Sequence, residues 1–248
     1  MHRALAHFRL GPMNLIIAIA LFLFFSSVWL VLLPRICNLW SWILASGIRN
    51  LPLHAELVLT RLHPGPGLWI QIPRLRMEPV LPTLQTWSLN CLATLLLFAV
   101  TFALSDGWIP LIYLLRGMLL VEASALIYFA VLPARFPHTP DSYLAGLITS
   151  GMALISTVPL LFGLIYYIFD FGLLRKAALT ALTMAHLTLF LPFQVLLQAL
   201  ILQKTVLYMP VLYIIFGMPL DVLLIIAFYS WGMTWSFRPI RLRNEHAA

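Results

Sequence analysis

The chain has 248 residues, 62% of them hydrophobic and only 9% charged, with 15 Lys and Arg against 8 Asp and Glu for a formal charge of +7. This composition excludes an ordinary soluble domain: a hydrocarbon core about 30 Å thick is crossed by roughly 20 apolar residues in a helix, and the sequence supplies that length repeatedly. The basic residues are scattered beside apolar runs instead of lining one stripe, so they belong to loops near anionic lipid, and no nucleic-acid partner is expected.

In chain order the apolar runs are 13–33, 87–105, 108–132, 143–170, 177–203 and 206–235, which predicts an all-α polytopic membrane protein of six transmembrane helices with both termini on one side. The first run follows a short basic segment, exceeds a signal-peptide core and lacks a small-x-small cleavage site, so it reads as a retained anchor. The chain divides into 1–33, a cytoplasmic N-terminus with the first span; 34–86, a small extracytoplasmic segment; 87–236, a five-helix bundle; and 237–248, a basic cytoplasmic tail. Ser105-Asp106-Gly107 ties spans two and three into a helical hairpin, and Phe171 to Lys176 does the same for four and five. Cytoplasmic termini put Arg3, Arg9, Arg175, Lys176, Arg238, Arg241 and Arg243 inside, against Arg135 and Lys204 in the small outer loops. The long first loop adds Arg35, Arg49, Arg61, Arg74 and Arg76 outside, and loops of that length translocate despite their charge. Short loops and compactness fit a bacterial inner membrane.

The loop 34–86 has two patterns. Ile36, Leu39, Trp40, Ile43 and Leu44 recur at helical spacing opposite Asn38, Ser41 and Ser46, which predicts a short interfacial helix along the membrane surface. Beyond Pro52 the period becomes two: Ala55, Leu57 and Leu59 alternate with Glu56 and Thr60, and Leu68, Ile70 and Ile72 with Gln71, around Pro64-Gly65-Pro66-Gly67. This predicts a β-hairpin at 54–77, which as a two-stranded unit must rest on the bilayer surface, the bundle or a partner. Trp40, Leu57, Leu59, Trp69 and Ile70 are the residues expected to meet a partner.

Ionisable groups within spans are the best reporters of function, because a charge at mid-helix costs about 2.5–3.5 kcal/mol on insertion scales. Arg116 lies near enough to the end of span three to snorkel. Glu122 is mid-span and cannot; it is either a protonated carboxyl bonded to a neighbouring helix or an ion or substrate ligand. The two are about 240° apart around the helix and share no face. Asp221 follows Gly217-Met218-Pro219, a sequence that breaks or kinks a helix. It either caps its own helix or forms part of a broken-helix binding site of the kind transporters use. His186, Gln194 and Gln198 lie on span five; the glutamines share a face and His186 is about 80° from Gln194. Interhelical hydrogen bonding accounts for them, and a proton relay of His186, Glu122 and Asp221 is the sharper alternative.

Span four carries Gly146 and Ser150 in small-xxx-small register for close helix packing, and Trp87, Trp108, Tyr143, Trp231 and Trp235 mark span ends. Cys37 and Cys91 fit no CxxC or CxxH pattern, and they read as unpaired thiols near the outer face. No metal or cofactor is expected, and no GxSxG or HExxH motif marks a catalytic residue.

The first functional reading is a non-catalytic integral membrane subunit, an accessory or assembly component of a larger envelope complex, with a membrane-protein partner or a second copy besides the lipid bilayer. The alternative is a small oligomeric secondary transporter or channel using Glu122 and Asp221; an intramembrane enzyme comes last.

Overall fold

The computed structural model describes residues 12–65, 68–168 and 172–234. The basic N-terminus, the tail 237–248, Trp235 and the side chain of Trp69 lie outside the described parts. The elements are α1 (Pro12–Asn50), β1 (Glu56–Gly65), β2 (Leu68–Arg76), α2 (Leu84–Ala103), α3 (Ile109–Val131), α4 (Pro140–Ile168), α5 (Leu173–Leu202), α6 (Met209–Phe216) and α7 (Met218–Thr234). Among the described residues six helical stretches are long and apolar enough to cross a membrane, α6 and α7 together making the sixth. The chain is an integral multi-pass membrane protein.

The first helix departs from the sequence expectation. No separate helix turns onto the membrane surface after residue 33: α1 runs through Pro34 for 39 residues, about 58 Å at 1.5 Å per residue. The reason is one continuous buried stripe, Phe25, Trp29, Leu33, Cys37, Trp40 and Leu44, at steps of three and four. Packing along the whole stripe outweighs the single backbone bond that Pro34 removes. Of the apolar face of 36–44, Trp40 and Leu44 are therefore buried against protein and Ile36 and Ile43 half-buried, while Leu39 stays exposed. Trp29 Nε1 donates to Ser156 Oγ of α4 at 2.8 Å, and Trp40 Nε1 donates to the Thr188 carbonyl of α5 at 2.8 Å. At Gly47 the absence of a side chain lets Leu196 sit where a Cβ would be, 2.5 Å from its Cδ2.

β1 and β2 form the expected hairpin, antiparallel with Glu56 opposite Arg76 and Leu62 opposite Ile70. It folds back along α1, so that Arg61 and Gln71 share a groove of ≈ 420 Å³ with Pro34 and Asn38. Its support is the bundle: β2 packs on α1 and α4, with Ile70, Ile72, Pro73 and Leu75 buried. Trp40 and Ile70, expected on a partner surface, are 2% and 1% exposed within this chain and offer no surface to one. Leu57 is half-buried and Leu59 exposed.

α1, α4 and α5 make the tightest part of the bundle, and α7 packs on α5 and α4. The close approach of α4 to α5 runs through Gly151, against Leu191, and not through Gly146, where a methyl group would meet no other element within 4 Å. The α2–α3 hairpin stands to one side, joined through α3 to α6. Within α2 only Thr101 is fully buried. Cys37 and Cys91 are free thiols, Cys37 buried in the middle of α1.

Candidate functional site

The last span divides at Gly217. α6 ends at Phe216, Gly217 is extended (φ −100°, ψ −158°), and α7 begins at Met218 with Pro219 as its second residue and Asp221 in the first turn. Pro219 has no N–H to continue the helix from α6. Gly217 is needed for room rather than for a left-handed backbone, because a Cβ there would fall against the Tyr213 carbonyl oxygen. The break frees the Phe216 carbonyl from helical pairing, and a buried carbonyl without a donor is costly.

The neighbouring helices supply what the break lacks. Gln198 Nε2 donates to the Phe216 carbonyl at 2.6 Å, and Gln198 Oε1 accepts from the Tyr143 hydroxyl of α4. One turn earlier on the same face of α5, Gln194 Nε2 donates to Asp221 Oδ1 at 2.8 Å. Asp221 thus takes its side-chain hydrogen bond from α5 instead of capping its own helix. The amide oxygen of Gln194 is buried and has no partner. Gln194, Gln198 and Asp221 are all fully buried, so the cluster is closed to bulk solvent in this conformation.

The other sequence candidates lie elsewhere. Glu122 of α3 is 8% exposed, and neither carboxyl oxygen has a hydrogen-bond partner. It is therefore bonded to neither Asp221 nor His186. The His186 ring stacks on Phe190 at 5.5 Å and packs against Phe228 of α7 at 5.1 Å. It sits eight residues before Gln194, about 12 Å along α5. Arg116 belongs to the α2–α3 hairpin: its Nε donates to Thr101 Oγ1 at 3.1 Å and its guanidinium lies 4.6 Å above the Phe102 ring. Among the described residues no group of three or more His, Cys, Asp or Glu side chains is placed to hold a metal ion.

Sequence reasoning misses two polar arrangements. Tyr143 has the position of an interfacial belt residue, yet its hydroxyl belongs to the break. Lys176 has the position of a loop cation, yet it is 1% exposed in the first turn of α5, and its Nζ donates to the Tyr166 carbonyl near the end of α4. A cation at a helix C-terminus answers free carbonyls and the negative end of the helix dipole. The Tyr166 hydroxyl returns a bond to the Lys176 carbonyl at 2.9 Å, locking the α4–α5 turn. Neither pairing has a local sequence signature.

No protein-family model matches the chain, and neither a curated protein nor a solved structure shows significant similarity to it.

Proposed function

We propose that the chain is a non-catalytic accessory or assembly subunit of a larger envelope complex in a bacterial inner membrane. Both termini are cytoplasmic, the β-hairpin is on the opposite side, and a membrane-protein partner docks on the outer edge of β1. The observation that carries this reading is the unequal state of the two sheet edges. β2 has buried residues on each face, Ile70 and Ile72 on one and Pro73 and Leu75 on the other, and Pro73 in mid-strand removes a donor and blunts its outer edge. β1 has no proline from Glu56 to Leu62, and Leu59 and Arg61 are exposed along it. An unblunted strand held rigidly by its partner strand is a template for a further strand, and Leu57 and Leu59 supply alternate apolar contacts beside it.

The test is site-specific photo-crosslinking in native membranes from position 59, with position 75 as the buried control. The reading expects one crosslinked protein from 59 and none from 75; adducts of 59 with lipid alone would overturn it. A crosslink between two copies of the chain would make it a homo-oligomer.

A second reading, a small secondary transporter or channel, is supported by the broken last span with Asp221 in the first turn of α7. It requires transport to fail in Asp221→Asn and Glu122→Gln while expression is unchanged.

A further inference from the structure

The groove between the hairpin and α1 gathers hydrogen-bond donors and a positive charge. It encloses ≈ 420 Å³ between Pro34 and Asn38 of α1 and Arg61 and Gln71 of the hairpin. Arg61 pairs with Gln71 in the strand register, so the two lie on one face of the hairpin, and Pro34 and Asn38 are one helical turn apart on one face of α1. The side chains of Asn38, Arg61 and Gln71 make no hydrogen bond or ion pair with the described residues, which leaves a guanidinium and two amides uncommitted. No described carboxylate lines the groove. Glu56, the only acidic residue in the two strands, is five residues before Arg61 and therefore on the opposite face, 4.0 Å from Arg76.

The groove also has an apolar approach. α1 carries no charged residue from Pro12 to Leu33. Leu30, one turn before Pro34 on the same face, is 54% exposed, and Val31 beside it is 76% exposed. An exposed apolar stripe that runs into a cationic, donor-rich groove fits an amphiphile with an anionic head. We propose that the groove holds the phosphate headgroup of an anionic phospholipid. Arg61 meets the phosphate oxygens with its guanidinium fork, the Asn38 and Gln71 amides donate beside it, and an acyl chain follows Leu30 and Val31. A phosphate supplies acceptor oxygens and negative charge together, the two things this groove lacks. The site uses a face of the hairpin and does not depend on a partner strand at the edge of β1.

Native mass spectrometry of the full chain in mild detergent tests this, with phosphatidylglycerol and zwitterionic phosphatidylcholine titrated in parallel. The expected result is one retained phosphatidylglycerol per chain, preferred over phosphatidylcholine and held about tenfold or more weakly in Arg61→Gln, which loses a charge-assisted pair. Asn38→Leu should weaken binding with no change in net charge. Arg49→Gln removes another exposed cation, at the far end of α1, and should leave binding unchanged. All three positions are exposed, so the variants should fold, with thermal unfolding as the check; the lipid preference of the wild type decides independently of them. Equal weakening by Arg49→Gln and Arg61→Gln would overturn the proposal, reducing it to diffuse charge attraction, as would equal retention of the two lipids. Displacement of the lipid by millimolar inorganic phosphate would also overturn it, identifying a soluble anion as the ligand.

Discussion

Two irregular helices in this bundle meet the same difficulty and resolve it differently. In α5, Pro192 deprives the Thr188 carbonyl, four residues earlier, of its helical N–H, and the indole of Trp40 from α1 replaces it. The helix continues. In the last span, the break at Gly217 frees the Phe216 carbonyl, because the Leu220 N–H donates to the Gly217 carbonyl instead, and the amide of Gln198 replaces the missing donor. There the helix stops and restarts. α5 is buried along its length against α1, α4 and α7, so its path is fixed by packing, and one proline with a donated hydrogen bond leaves it intact. α6 and α7 are buried along narrow faces, and the backbone approach at Gly217 leaves no room for a side chain. In a membrane bundle, then, what decides between a tolerated proline and a break is the surrounding packing and a neighbouring donor, not the proline itself.

The largest effect is expected at Trp40. Trp40→Ala removes a fully buried indole as well as the donor to Thr188 and should cost about 3–5 kcal/mol, read as reversible unfolding in mixed micelles. Trp40→Phe keeps most of the packing and isolates the donor, with an expected cost of about 1–3 kcal/mol. Gln198→Leu strands the Phe216 carbonyl and the Tyr143 hydroxyl and should cost a similar ~1–3 kcal/mol. In a double-mutant cycle with Tyr143→Phe the two should be non-additive, because they share one amide. Gly217→Ala sharpens the contrast from the backbone side: it should destabilise by about 1–3 kcal/mol, since the Tyr213 carbonyl must move. At the small end, Trp42→Ala, two residues from Trp40 but 65% exposed, should change protein stability by less than about 0.5 kcal/mol.

How legible these features are depends on how local their causes are. Except at the far end of α1, apolar run length marks the long helices to within a few residues, and the change to period two announces the hairpin. Gly217-Met218-Pro219 points to the break because both residues act on their own backbone. The continuation of α1 is not legible: the face Ile36, Trp40, Ile43 and Leu44 has the same spacing whether it meets headgroups or another helix, and Pro34 invites a boundary. Nor is the Trp40 bond, which joins residues 148 apart in sequence. The glutamine stripe marks one face of α5, but only the packing of α7 brings Gln194 to Asp221. His186 and Arg116 look equally eligible and are held elsewhere by aromatic rings and by Thr101. Gly146 and Gly151 are indistinguishable in sequence, and the position of Leu191 selects the second.

The exposed β1 edge is the part of this account that reaches beyond the chain, and purification tests it most directly. The intact protein would be extracted from its native membrane in mild detergent, alongside a Leu59→Lys variant, and everything co-eluting in fixed ratio quantified by mass spectrometry. The account predicts a stoichiometric membrane-protein partner with the wild type, lost or sharply reduced in the variant while the chain itself remains folded. Recovery of the wild type as a lone monomer, or a partner retained undiminished by Leu59→Lys, would contradict it.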